Sequence, residues 1–223
     1  MFALGGGELR SRLLGCADGP ASFNAEATGR GLRVVSCDPL YRYGANAIRA
    51  RIAAIFDEMV AQTRQNESEF VWSEAIPSVG ALARMRAAAM DRFLDDYDAG
   101  RASGRYIDAE LPALPFADGA FDLAVCSHFL FLYTKQLTAD FHVAAVRELS
   151  RVAADVRIFP LVALGGAPSE HVGPVMDAMW KDGLDVSIDV VPYEFQRGAN
   201  RMLRVIRRER PERSSRSDGA RRR

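Results

Sequence analysis

Three short stretches carry residues whose types and spacing suit ligand chemistry. The first is Gly15-Cys16-Ala17-Asp18-Gly19-Pro20-Ala21. A small residue at every second position (Gly15, Ala17, Gly19) lets the backbone approach a ligand closely. A helix starting just after such a turn places free N–H groups beside the bound group. The pattern is G-x-A-x-G, not the G-x-G-x-x-G of a dinucleotide fold, and suits a group smaller than a pyrophosphate. The second is Asp38, about twenty residues further on, where an acid can accept hydrogen bonds from the two hydroxyls of a ribose. Turn and acid together point to a nucleoside-like ligand. The third is Ser127-His128, which follows an apolar strand. A histidine, with an ordinary pKa of ~6.5, suits proton removal near neutrality, so His128 is the candidate general base. Its alternative role is to order the loop, since a transfer that works by proximity needs no base.

These residues need elements to position them. Leu13-Leu14 running into the glycine turn reads as a strand, Ala21 to Thr28 as a helix closed by Gly29-Arg30-Gly31, and Leu32 to Cys37 as a second strand ending at Asp38-Pro39. A connection this short implies parallel strands joined by a right-handed crossover. Residues 40 to 105 break the rhythm. Ala45 to Thr63 and Val79 to Tyr97 have helical apolar spacing, giving a helical insertion of roughly sixty residues where loops usually hold ~4–6. Alternation then resumes with a short strand at Arg105 to Asp108, an apolar strand at Phe121 to Cys126 and a helix at Leu137 to Val152. A strand at Asp155 to Leu161 and a helix at Ser169 to Asp182 follow. Val186 to Val191 and Met202 to Arg207 lie too close together for a helical crossover and should pair antiparallel. The expected architecture is a doubly wound, seven-stranded, mostly parallel α/β sheet with an antiparallel C-terminal hairpin and a helical insertion.

Composition bounds the rest. The chain has 223 residues, 48 % of them apolar, with 29 basic against 29 acidic side chains, which fits a globular body with a sizeable core. The neutrality is uneven. Residues 207 to 223 hold eight Arg and three acids, so a mildly acidic body carries a basic tail, expected at 208–223 to be disordered. The tail lacks interleaved aromatics, so a nucleic-acid partner is disfavoured. No apolar run reaches the ~20 residues of a membrane span. Cys16, Cys37 and Cys126 are far apart, with no C-x-x-C, which suggests neither zinc nor a disulfide framework and fits a reducing cytoplasm. No metal is expected.

An antiparallel final pair after five alternating strands resembles the class I S-adenosylmethionine-dependent methyltransferases. Leu13 to Phe23 resembles that family's first motif, and Val34-Val35-Ser36-Cys37-Asp38-Pro39 its ribose-binding strand. Leu114 to Leu123 resembles its LPF-x-D-x-x-FD segment, and Arg147 to Val152 the helix that follows its fourth strand. The resemblance covers about residues 10 to 40 and 105 to 207. Two positions depart from it: Ala17 replaces the middle glycine, and Leu13 stands where an acid often helps to hold the methionine end of the cofactor.

The resemblance implies S-adenosylmethionine as cofactor, a methyltransferase domain over residues 1–207 with its insertion at about 40–105, and transfer to a small-molecule acceptor by direct displacement. It places Asp108 and Ala109 against the adenine, with Glu110 or Leu111 as the alternative given the spacing to Phe121. Ser127 joins the cofactor set, and His128 lies near the methyl. Tyr41, Tyr43, Phe70 and Trp72 are candidate substrate walls. Phe129, Phe131 and Tyr133 are either pocket wall or core, with at least one in the core; His142 is expected at a helix surface or in packing, and His171 at the surface of a helix N-terminus. The rival readings are a non-catalytic cofactor-binding protein, a nicotinamide-dependent oxidoreductase and an RNA methyltransferase.

Overall fold

The computed structural model describes residues 1, 2, 4 and 11–207; the basic tail at 208–223 lies outside the described residues. Strands and helices alternate as β1 (Arg12–Cys16), α1 (Phe23–Gly29), β2 (Arg33–Cys37), α2 (Ala45–Gln65), α3 (Val79–Ala102) and β3 (Tyr106–Ile107). They continue as β4 (Phe121–Ser127), α4 (Ala139–Val152), β5 (Ala153–Phe159), α5 (Val172–Lys181), β6 (Asp185–Val190) and β7 (Arg201–Ile206). The sheet order is β3-β2-β1-β4-β5-β7-β6. β7 slots between β5 and β6 and runs antiparallel to both, so it alone is reversed. The expected final pair is therefore antiparallel, but its second strand sits inside the sheet and its first forms the edge.

Period-two alternation decides which helices cover which face. Leu13, Val34, Leu123 and Val125 pack with Ala27 of α1 on one side. Leu14, Ala124, Cys126 and Val156 meet Ala145, Leu149 and Val152 of α4, with Val175 and Met179 of α5, on the other. Strands covered on both faces need the near-continuous apolar runs that β1 and β4 carry. Each fully buried side chain of this size contributes about 1.5–3 kcal/mol.

Polar ties then fix the loops. In α4, Glu148 accepts the Leu114 N–H at 2.6 Å, while Arg151 donates to the carbonyls of Leu114 and Phe116 and pairs with Asp118 and Glu148 at 2.7 Å each. The Leu114–Asp118 stretch and the Arg147–Val152 stretch are therefore two halves of one clamp, which holds the chain entering β4. Asn24, buried in α1, donates to Ser36 Oγ and to the Arg105 carbonyl at 3.1 Å each, and accepts from the Arg105 guanidinium at 2.6 Å. It locks α1 to β2 and to the entry of β3.

The helical segment at 40–105 is only partly additional to the sheet. Phe93, Leu94 and Tyr97 in the second half of α3 bury against Tyr41 and Tyr106. Asp96 pairs with Arg105 at 2.6 Å and accepts from Tyr106 Oη at 2.9 Å. At Gly100 a Cβ would lie 2.4 Å from the Tyr106 ring, so only glycine allows this approach. The second half of α3 is thus the β2–β3 crossover itself. α2 and the first half of α3 extend beyond the sheet as an antiparallel pair. Tyr41, expected at a substrate wall, belongs to this core at 1 % exposure.

Candidate active site

A cleft of about 740 Å³ opens at the carboxyl ends of β1, β2 and β4. That is where open α/β sheets bind ligands, and the volume is within the range of small-molecule sites. Ala17, Gly19, Asp38, Ala109, Ser127 and His128 all line it. Residues far apart in sequence meet here because parallel strands end on one edge.

The turn after β1 is held from below. The Ala17 N–H donates to the Cys37 carbonyl at 2.9 Å, the Gly19 N–H to Asp38 Oδ2 at 2.9 Å, and Tyr41 Oη to the Gly19 carbonyl at 2.9 Å. Ala17 has φ 57°, the left-handed region where a side chain costs roughly 1–2 kcal/mol. The middle small residue of the motif is thus a backbone requirement as much as a matter of room. Gly15 does not line the cleft but makes the turn possible. A Cβ on it would fall 1.9 Å from Asp18 Oδ2.

Asp38 ends β2 with Oδ1 on the Leu40 N–H at 2.8 Å and Oδ2 on the Gly19 N–H. Burial raises its pKa, while these two N–H groups lower it. Each oxygen holds one donor, and an ionised carboxylate has about four acceptor sites, which leaves capacity for two hydroxyls. Across the cleft are Ala109, Glu110 and Leu111, with Phe129, Leu137 and Phe141 as apolar wall. The residues present therefore fit a nucleoside: a diol acceptor, small residues at the turn and an apolar slot for a ring. Asp108 stands apart from the cleft lining and faces Arg42 at 3.4 Å. The chain turns away directly after the two-residue β3, so the following residues take the place beside the cleft.

At the other end, Ser127 closes β4 and His128 adopts φ 53°. The His128 N–H donates to the Phe159 carbonyl at 2.7 Å, and Nδ1 lies 2.7 Å from Ser127 Oγ. With the proton on Nδ1 donated to Ser127, Nε2 is left as an acceptor. Burial, and secondarily Arg86, lower the His128 pKa, so the ring is neutral near pH 7 and keeps one unprotonated nitrogen. A second, smaller cavity of about 340 Å³ shares His128 with the cleft.

Several features escape sequence reasoning. Asp18, between two small residues of the turn, is pushed up to about 6 by burial and the nearby Asp38, against the Ser36 Oγ–H that donates to it at 2.6 Å. Cys16 lies beside both Cys37 and Cys126 in strand register, and burial pushes the Cys126 thiol up to about 12. Phe129 and Tyr133 line the cleft, whereas Phe131 is core. Tyr43 is 54 % exposed and Trp72 packs on Phe70 and Phe195. His142 is wholly buried, with its two nitrogens on the carbonyls of Thr138 and Leu130; His171 stands at the start of α5, and its Nε2 lies on the carbonyls of Thr134 and Leu137, not on the helix. Leu13, at the position where the family often has an acid, is buried against α1. Among the described residues no group of three or more His, Cys, Asp or Glu is arranged to hold a metal, and no helix is long and apolar enough to cross a membrane.

No family model matches the chain. Among solved structures it is similar to magnesium protoporphyrin IX methyltransferase of Synechocystis with bound S-adenosylmethionine, at 12 % identity over 91 % of this chain and 73 % of that one, TM-score 0.49. It is also similar to a S-adenosylmethionine-dependent methyltransferase of Methanosarcina mazei, at 13 % identity over 88 % and 91 % of the two chains, TM-score 0.44. Over 209 residues it is 30 % identical to the uncharacterized protein MJ0045 of Methanocaldococcus jannaschii, covering 93 % of this chain and 90 % of that one. The strand order, with β7 alone reversed, is that of the class I methyltransferases. The chain belongs to the same family as the Methanocaldococcus protein and has the doubly wound α/β fold with one reversed strand that the class I resemblance implies.

Proposed function

We propose that the protein is a S-adenosylmethionine-dependent methyltransferase acting on a small-molecule acceptor. The observation that carries this reading is the cleft itself. Ala17 and Gly19 of the turn, Asp38, Ala109 with Glu110 and Leu111, and the Ser127-His128 pair line one concave wall across three strand ends. Asp38 would hold the ribose hydroxyls, Ala109 to Leu111 the adenine edge, and the turn with Asp18 the amino-acid end. Bound there, the cofactor supplies an electrophilic methyl on a sulfonium. The chain's own work is to hold the acceptor in line with that methyl and to exclude water, which can contribute about 7–11 kcal/mol through orientation alone. His128 Nε2 takes the acceptor's proton as the new bond forms, and Ser127 Oγ keeps the ring oriented.

The test is binding of S-adenosylhomocysteine by calorimetry, with NADH as the competing nucleotide. Asp38→Ala removes a charged acceptor for two hydroxyls, each such bond being worth about 1.5–3 kcal/mol. A loss of at least about tenfold in affinity is expected. Unchanged affinity in the variant, or preference for NADH, refutes the assignment. Turnover with a metabolite extract, followed as S-adenosylhomocysteine release, tests catalysis separately.

A further inference from the structure

The cavity beyond His128 has a character of its own. Met59, Leu132 and Leu164 give it aliphatic walls, and Phe70 and Phe195 an aromatic one. Those two rings stack at 4.8 Å, with Trp72 edge-on to both. The side comes from two distant segments joined by backbone: the Val71 N–H donates to the Phe195 carbonyl at 2.7 Å and the Arg197 N–H to the Glu69 carbonyl at 2.8 Å. A wall tied in this way is a built surface.

Into this cavity projects Arg86 from α3. Its guanidinium is withdrawn from water, which lowers its pKa, and it forms no ion pair and no side-chain hydrogen bond among the described residues. The charged groups around it are few. Glu69 lines the same cavity but stays outside ion-pair distance; Tyr193 and His128 are the other titratable neighbours, both neutral near pH 7. The rest of the protein shows the contrast. Arg105, Arg151 and Arg204 are all paired with carboxylates at 2.6–2.8 Å. A partly desolvated guanidinium without a counter-ion is unfavourable unless a ligand supplies one.

We propose that this cavity is the acceptor site, and that the acceptor is a small aromatic carboxylate: its carboxylate pairs with Arg86, its ring lies along the Phe70–Phe195 wall, and its far end reaches His128. A carboxylate is favoured over a phosphate because one guanidinium matches one planar anion through two parallel N–H donors. Among the described residues no lysine and no second arginine lines the cavity to balance a dianion. The word acceptor rests on the methyltransferase reading; the anion site does not.

The experiment titrates cinnamate and phenylacetate, each against its carboxamide, into the full-length protein with and without saturating S-adenosylhomocysteine. The expected result is that each carboxylate binds at least about tenfold more tightly than its amide, as a charge-assisted bidentate pair implies. Arg86→Met should abolish that preference and Arg86→Lys should restore part of it, with S-adenosylhomocysteine affinity unchanged in both as evidence of folding. Equal binding of acid and amide, no binding of either acid, or an undiminished preference in Arg86→Met overturns the proposal. Failure of S-adenosylhomocysteine to bind, with the carboxylate preference intact, overturns the methyltransferase reading and leaves the anion site standing.

Discussion

Replacing Asp18 with Asn should stabilise the protein, and only above about pH 4. The carboxylate is buried under the turn at Gly15, with Ser36 Oγ donating to it and Asp38 nearby. Its pKa rises from 3.8 to about 6, burial being the largest cause. An acid with a raised native pKa binds more protons folded than unfolded between those two values. Stability therefore falls as pH climbs from about 4 to 6 and stays lowered above. At about 1.4 kcal/mol per pKa unit the loss is roughly 3 kcal/mol. Asn carries no charge to desolvate and its carbonyl can accept the same Ser36 hydroxyl. Urea denaturation across this pH range should show wild type and Asp18→Asn equal near pH 4. Near neutrality the variant should lead by up to about 3 kcal/mol, or about 6–12 °C in Tm. A difference that is the same at every pH, or a variant less stable at neutrality, refutes the claim that a buried charge strains this turn.

Other perturbations have equally definite outcomes. Ala17→Gly relieves a left-handed φ and should be neutral to about 1 kcal/mol stabilising in thermal melts, whereas most Ala-to-Gly changes destabilise. Tyr41→Phe removes the hydroxyl on the Gly19 carbonyl and should cost about 0.5–1.5 kcal/mol in denaturation, with weaker S-adenosylhomocysteine binding. Asp155 resists protonation: burial would raise its pKa, but hydrogen bonds from Arg204 and Arg157 outweigh that and lower it. Its contribution is thus present at neutral pH and is lost as pH falls through the depressed native value. Asp155→Ala removes the carboxylate that Arg157 and Arg204 share and should cost about 1.5–3 kcal/mol in urea at pH 7 and less in acid. With His128 as base, kcat/KM should rise with pH through a midpoint below the usual histidine value and then level off. His128→Gln should erase that acidic limb.

What was legible in the sequence follows from which signals are local. The strands β1, β2 and β4 announce themselves because burial on both faces demands unbroken apolar runs. Asp38 and Ser127-His128 are readable because they sit where such runs stop. Arg86 was not readable. It is one of many arginines on helical surfaces, and its isolation arises only when Phe195, more than a hundred residues away, closes over the cavity. Asp108 stands outside the cleft lining, beside Ala109, Glu110 and Leu111 that form it, because β3 is just two residues long and counting from a strand end cannot settle which of the next residues faces the cleft. His142 reads as either helix surface or packing, and only the Leu130 carbonyl facing its ring decides for packing. The helices at 45–65 and 79–102 were visible from their spacing. That half of the second is sheet crossover depended on the tyrosine cluster, which no periodicity reveals.

The reversed direction of β7 has a practical consequence. Ile206 lies beside Asp155, near the start of β5, whereas the cleft lies past the strand ends. A strand of seven residues spans about 23 Å, so the chain leaves the sheet after Arg207 on the far side of the domain from the cleft. A fluorophore, an affinity handle or a solid support attached at position 207 would leave the mouth of the cleft clear. Protein immobilised through position 207 should therefore bind nucleosides as the free protein does, which makes that position a natural anchor for screening ligands.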